Sequence, residues 1–205
     1  MNNKPDTIVF DFGGVLMDWN PRYLFQKLFD DENSMEFFLT EICSAGWNAK
    51  QDAGRSFAVA TSELIEKHPD YAEMIEAYDY RWEETVSGAI TPTVNILKKL
   101  HKNGYELYGL SNWSAEKFTV VRENYSFFGL FKDIILSGEE GIIKPEPEIY
   151  EILLKRIKKE SSECLFIDDS KANVDAAEAL GFHSIHFKDA EQLKTQLPDY
   201  GFCIK

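Results

Sequence analysis

The sequence predicts an α/β protein whose parallel-sheet core is interrupted by a helical cap, and three observations lead there. A β-branched and aromatic run, Thr7–Phe10, reads as a short buried strand near the start of the chain. From Pro21 to about Glu84, apolar residues recur at helical spacing with almost no strand signal. After "SGAITP", strands and helices alternate at lengths that suit a parallel sheet covered on both faces. Residues 1–17 and 87–205 are then the core, and residues 18–86 the cap inserted after the first strand. A chain of 205 residues has room for one full-sized core and a smaller appended unit, at ~100–200 residues per domain.

Within the cap, "PRYLFQKLF" places Tyr23 or Leu24 with Leu28 on one face, and "SFAVATSELIEKH" spaces Phe57, Ala60, Leu64 and Ile65 likewise. "YAEMIEAYDYRWEETV" predicts another helix, with breaks at Gly54 and near Pro69. In the core, Thr91 is expected to cap a helix that has Pro92 at its first position and closes on Gly104. "YELYGL" predicts a strand, "SAEKFTVVREN" a helix, and "FKDIILS" a strand. "PEPEIYEILLKRIKK" follows as a helix, "CLFID" as a strand, "SKANVDAAEALG" as a helix ending on Gly181, and "HSIHF" as a last strand.

Composition narrows the function classes. The formal charge is −13, with Lys and Arg scattered rather than clustered, which argues against a nucleic-acid partner. An anionic substrate would have to be drawn in locally, by a metal, a lysine and helix N-termini, against the field of the whole chain. Apolar runs such as Ile8–Phe10 and Leu165–Ile167 fall far short of the ~20 residues of a membrane helix, and the start shows no signal-peptide pattern. The three cysteines, Cys43, Cys164 and Cys203, are odd in number and lack C-x-x-C spacing. That suits a reducing cytoplasm better than a disulfide framework or a zinc site. A soluble, cytoplasmic chain is the expectation; its oligomeric state is not written in the sequence.

In open α/β sheets, ligands bind outside the carboxyl ends of the strands, so the residues that end each predicted strand carry the functional reading. The first strand ends on Asp11, followed by Gly13 and Gly14. The second ends on Ser111-Asn112. The third leads into "GEEGIIKPEPEIY" with Lys144, and the fourth ends on Asp168-Asp169, with Asn173 a turn further on. Each has an ordinary alternative. Asp11 could terminate a strand, Asp169 or Ser170 could cap the next helix, Lys144 could be a loop charge, and the glycines could serve a tight turn. His68, His101, His183 and His186 share no spacing that suggests a site. Trp19 and Trp113 flank the presumed site and could either wall a pocket or pack in a core.

Taken in order, Asp11 in "DFGGV", Ser111 in "LSN", Lys144 in "KPEPEIY" and Asp168-Asp169 in "IDDS" resemble the four motifs of the haloacid dehalogenase-like superfamily, over nearly the whole chain. The resemblance implies a Rossmann-like core with a helical cap. It also implies a Mg²⁺-dependent phosphatase that hydrolyses a small phosphorylated metabolite through a phospho-aspartyl intermediate. Asp11 would be the nucleophile, ionised at neutral pH at the ordinary Asp pKa of ~3.9. Mg²⁺ would be held by Asp11, the Gly13 carbonyl, and Asp168 or Asp169. Ser111, Asn112 and nearby backbone N–H groups would bind phosphoryl oxygens, Lys144 would stabilise charge, and Asn173 would orient a metal ligand or a water. Family caps place a specificity loop near Trp47, Asp52, Gly54 and Arg55, which makes Trp47 and Arg55 candidate substrate contacts.

One departure stands out. Many phosphatases of the superfamily carry a second Asp two residues after the nucleophile as general acid and base, a role worth ~10²–10⁴-fold; here that position is Gly13. The loss matters least for an acidic leaving group, which points to a sugar 1-phosphate or another activated ester. The Asp-x-Gly pattern is similar to that of the glucose-1-phosphatase-type members. Asp18 is one candidate replacement acid. Two rival functions are a 2-haloacid dehalogenase-type hydrolase, disfavoured by Gly13 and the paired aspartates, and a catalytically weak binding or regulatory domain of the same fold.

Overall fold

The computed structural model describes residues 4–204. Strand β1 (Thr7–Phe10) carries four consecutive buried side chains, as a strand covered on both faces does. The chain then turns through Gly13 and Gly14 into β2 (Met17–Trp19). It next runs through α1 (Arg22–Phe25) and α2 (Glu32–Phe37), which widens into one π-turn over Phe38–Ile42. Three further helices follow, α3 (Ala45–Asp52), α4 (Phe57–Lys67) and α5 (Ala72–Tyr80). Strand β3 (Val86–Ala89) returns antiparallel to β2, Met17 opposite Ala89.

The second half alternates: α6 (Thr91–Lys102), β4 (Glu106–Ser111), α7 (Ala115–Asn124), β5 (Asp133–Leu136), a short α8 (Ser137–Glu140) and α9 (Pro147–Ile157). Then come β6 (Cys164–Asp168), α10 (Lys171–Ala179), β7 (His183–His186) and α11 (Ala190–Gln196).

The five long-range strands form one parallel sheet in the order β5-β4-β1-β6-β7. Side-chain alternation sorts them into two cores. Ile8, Phe10, Leu165 and Ile167 pack with Val94, Leu97 and Leu100 of α6 and Leu193 of α11. Val9, Leu110 and Phe166 pack with Ile149, Tyr150 and Leu153 of α9 and Ala177 of α10. After β5 the chain crosses back to the other side of β1. That reversal opens a crevice beyond the carboxyl ends of β1, β4 and β6, where the fold class places its ligands.

The structure departs from the sequence reading in four places. The β2–β3 hairpin has no counterpart there: its strands are three and four residues long, with a register shift at Asp18/Trp19, too short for a period-2 pattern. The expected 17/18 and 86/87 boundaries fall inside these two strands. The helix expected over "YAEMIEAYDYRWEETV" stops at Tyr80 and gives way to a tight 3₁₀ turn over Trp82–Thr85, where the Thr85 hydroxyl bonds the Trp82 carbonyl at 2.7 Å. Thr91 does not cap α6; it lies inside the helix, with Ile90 at the capping position. Nor does Asp169 or Ser170 cap α10 through its side chain; Asp168 Oδ1 takes the Ser170 backbone N–H at 2.8 Å instead.

Candidate active site

Asp11 emerges immediately after β1, its backbone N–H still held by the Ile167 carbonyl at 2.9 Å, so the sheet itself fixes its position. Ser111, the last residue of β4, donates its hydroxyl to Asp11 Oδ1 at 2.9 Å. Asn112 and Lys144 are locked together reciprocally. The Asn112 amide donates to the Lys144 carbonyl at 2.9 Å and accepts the Lys144 backbone N–H at 2.7 Å. This pair carries the loop after α8 over the sheet and drives the Lys144 side chain inward.

Lys144 is 3 % exposed, and its three ammonium protons have three acceptors: the Leu110 carbonyl at 2.9 Å, Asp168 Oδ2 at 2.6 Å and Asp11 Oδ1 at 2.9 Å. A buried ammonium is tolerable only when so paired. Burial alone would push its pKa down, but the carboxylates of Asp11 and Asp168 outweigh that and hold it above the ordinary lysine value. Lys144 is a fixed cation.

Asp168 is fully buried and saturated. Besides Lys144 and the Ser170 N–H, the Asn173 amide reaches both its oxygens at 3.1 Å. Asp169 is exposed at the rim, and its carboxylate lies against Gly14: a Cβ on Gly14 would sit 2.2 Å from Asp169 Oδ2. One oxygen each from Asp11, Asp168 and Asp169 falls within 4.8 Å of the others. Three hard carboxylate oxygens this close suit a small divalent cation such as Mg²⁺. The geometry also separates two roles that the sequence left joined. Asp168 is committed to Lys144 and Asn173, while Asp169 is the freer carboxylate of the pair.

The electrostatics bear on the nucleophile. The surroundings of Asp11 displace it from the ordinary carboxylate range. Burial raises it, Lys144 pulls it back and the neighbouring charge of Asp168 adds to the rise, which leaves it pushed up to about 7. Asp169 is likewise raised, by burial and by Asp168. A cation at this cluster would favour the ionised forms of both.

Beside the cluster lies a small cavity of about 70 Å³. Its floor is Gly13, Asn112 and Ser114, its walls Trp19, Trp82 and Trp113, and its cap-side edge Asn48 and Asp52 of α3. Trp19 and Trp113 therefore wall a pocket as well as packing. Three buried polar atoms of its lining residues, the indole N–H groups of Trp19 and Trp113 and Asn48 Oδ1, have no partner within the protein. A second cleft, of about 570 Å³, shares Trp19, Asn48 and Asp52 and continues past Leu39, Cys43 and Tyr78.

Two expected substrate contacts are not brought to this cavity. Trp47 is 8 % exposed and packs edge-on against Phe57 and Tyr78. Arg55 is held by the Gln51 side chain at 2.8 Å and by Glu63 at 3.2 Å. Their neighbours Asn48 and Asp52 face it instead. The i, i+4 spacing of those two residues on one helix was the available signal. Trp82 and Ser137 also escape the sequence reading. The Ser137 hydroxyl, buried after β5, bonds the Asp52 carbonyl at 2.5 Å and accepts the Trp113 N–H at 3.0 Å. Asp18 is occupied elsewhere, its two oxygens each 3.0 Å from the Tyr23 hydroxyl.

Residues 5–181 match the family described as haloacid dehalogenase-like hydrolase. The chain belongs to that family. It is 30% identical over 196 residues, 89% of each chain, to a sesquiterpene phosphatase, astK, of Aspergillus oryzae. It is 23% identical over 203 residues, 88% of this chain and 84% of the other, to a phosphorylated carbohydrates phosphatase of Thermotoga maritima. Among solved structures it resembles a family enzyme of Bacteroides thetaiotaomicron, with a TM-score of 0.76 and 23% identity over 95% of this chain and 99% of that one. That enzyme has also been solved with magnesium and inorganic phosphate. The present chain is thus a phosphatase-like hydrolase with a haloacid dehalogenase-like core. No helix among the described residues is long and apolar enough to cross a membrane.

Proposed function

We propose that this haloacid dehalogenase-like hydrolase is a Mg²⁺-dependent phosphomonoesterase that cleaves a small phosphorylated metabolite through a phospho-aspartyl intermediate on Asp11. The observation that carries this reading is the convergence of Ser111 and Lys144 on the Asp11 carboxylate, with Asp168 bonded to the same lysine and Asp169 within reach. Mg²⁺, held by Asp11, Asp169 and the Gly13 carbonyl with Asp168 behind them, would screen the repulsion between a carboxylate and a phosphate dianion. Asp11 supplies the attacking oxygen. Ser111 steadies its other oxygen and, with the N–H groups after β4, takes phosphoryl oxygens. Lys144 offsets the charge that develops in transfer. The tryptophan walls keep bulk water off the aspartyl ester until the leaving group departs.

For the leaving group, the tryptophan faces lining the cavity suit a sugar ring, which offers C–H faces to stack on them. A sugar phosphate is therefore the first reading. The second is an extended apolar alcohol such as a terpenyl group, favoured by the second cleft past Leu39 and Tyr78 and by the sesquiterpene phosphatase relative. A dehalogenase is disfavoured by the paired aspartates.

The test is phosphate release from sugar 1- and 6-phosphates, acyl phosphates, nucleotides and prenyl monophosphates, with Mg²⁺ or EDTA. Turnover is expected with Mg²⁺ alone and to vanish in Asp11→Asn. Release unaffected by EDTA, or by Asp11→Asn, would overturn the mechanism; a prenyl ester outrunning every sugar ester would decide for the second substrate reading.

A further inference from the structure

A phosphatase that makes an aspartyl phosphate has to protonate the leaving oxygen and later take a proton from the attacking water. Gly13 cannot do either. A Cβ added at that position would meet nothing within 4 Å, so the place a carboxyl would occupy is open space in the cavity. Across that space, the cap presents Asp52.

Resting on the phosphatase reading above, we propose that Asp52 is the general acid and base of this site, delivered by the cap to replace the carboxyl missing at Gly13. Four observations carry it. Asp52 lines the same cavity as Gly13, Asn112 and Ser114, the residues that follow the catalytic strand ends. It also borders the second cleft, so it stands where the leaving group passes from one to the other. Its carboxyl is held in place, Asn48 Nδ2 donating to Oδ2 at 3.0 Å. Its backbone is fastened too, the Asp52 carbonyl accepting the Ser137 hydroxyl.

The protonation equilibrium agrees with the geometry. Burial raises the Asp52 carboxyl, the Asn48 amide draws it back and the charge of Asp11 adds to the rise, which leaves it at about 7. A group that titrates near neutrality both gives and accepts a proton. The titratable groups acting on it are Asp11 from the end of β1 and the Tyr78 hydroxyl of α5. In the first step an Asp11 oxygen forms the bond to phosphorus, the ester P–O bond breaks, and the electron pair leaves on the departing oxygen, which takes the Asp52 proton. In the second, Asp52 carboxylate accepts a proton from water as that water bonds to phosphorus and the bond to Asp11 breaks.

The proposal makes activity in Asp52→Asn depend on the leaving group. With p-nitrophenyl phosphate, whose alcohol needs no proton, kcat/KM is expected to stay within about tenfold of the unsubstituted protein. With alkyl phosphates it should fall roughly 10²–10⁴-fold. Asp52→Ser, which is also unable to ionise, should give the same pattern. Gly13→Asp combined with Asp52→Asn should recover alkyl phosphate turnover. Vanadate binding in the presence of Mg²⁺, measured by calorimetry, should be within about threefold of the unsubstituted protein, because proton transfer plays no part in it. An equal loss for every leaving group, no loss for any, or a collapse of vanadate affinity would overturn the assignment. Failure of the unsubstituted protein to hydrolyse any ester would instead defeat the phosphatase reading itself.

Discussion

A methyl group on Gly14 would sit 2.2 Å from Asp169 Oδ2, on a backbone with φ of +72°, whereas one on Gly13 would meet nothing within 4 Å. Gly14→Ala is therefore expected to lose about 1–2 kcal/mol through the left-handed backbone and to push Asp169 out of the carboxylate cluster. Calorimetric Mg²⁺ titration should show affinity at least about tenfold weaker, the scale on which misplaced ligand surroundings act. Gly13→Ala should leave the melting temperature unchanged; equal behaviour of the two variants would refute the account of Gly14. At this scale the sequence is informative where chemistry and strand geometry coincide. Asp11, Ser111 and Asp168 each end a strand, and so declare themselves. Asp52 shows only as one residue of the polar stretch before Gly54, spaced i, i+4 from Asn48, because its meaning depends on a cavity assembled from helix α3 and the loop after β4. Trp47 and Arg55 show the converse. Large and charged residues beside a glycine break look functional, but one fills the cap interior and the other pairs with Gln51 and Glu63.

Between elements, the contact that sets the site is the end of α3 against the β5–α8 junction. The Ser137 hydroxyl links the Asp52 carbonyl to the Trp113 N–H. A Cβ on Gly54 would come within 3.1 Å of the Gly138 carbonyl, so the backbones approach closely. Phe57 N–H reaches Glu116 at 3.4 Å, and Lys117 pairs with Asp79, extending the seam along α7. Ser137→Ala would strand a buried N–H and a carbonyl, at a cost of about 1–3 kcal/mol. That corresponds to a fall of roughly 2–12 °C in melting temperature for a chain of this size. If Asp52 acts as proposed, the same variant slows alkyl phosphates more than p-nitrophenyl phosphate. An unchanged melting temperature would show that the link bears no load. The core elements are legible because each is a long periodic segment: α6 buries Val94, Leu97 and Leu100, and β6 is an unbroken apolar run up to its aspartate. The β2–β3 hairpin, with strands of three and four residues, is too short to announce itself.

Over the whole molecule, the formal charge of −13 makes the carboxylate cluster a source of instability unless protons or a cation occupy it. Asp11 and Asp52 are both pushed up to about 7 in the folded chain, against 3.8 ordinarily. Between those values the native state holds more protons than the unfolded one, so stability falls as pH rises through that window. Groups held low by partners, such as Glu84 at about 2 through Arg81 and Lys27, act in the opposite sense. Their contribution is complete above their unfolded pKa and is lost only in acid, so it does not disturb the range from about pH 5 to 8. In EDTA the melting temperature should therefore decline from about pH 5 to about pH 8, and Asp52→Asn should flatten part of that decline. Mg²⁺ binds only the native cluster. At about a hundred times its dissociation constant it should add about 2.7 kcal/mol, or roughly 5–11 °C, with the larger gain at the alkaline end, where no proton competes for Asp11. A melting temperature that is flat with pH in EDTA would contradict the raised carboxyls. One that does not respond to Mg²⁺ at the alkaline end would mean that the three aspartate oxygens, close as they are, do not form a magnesium site.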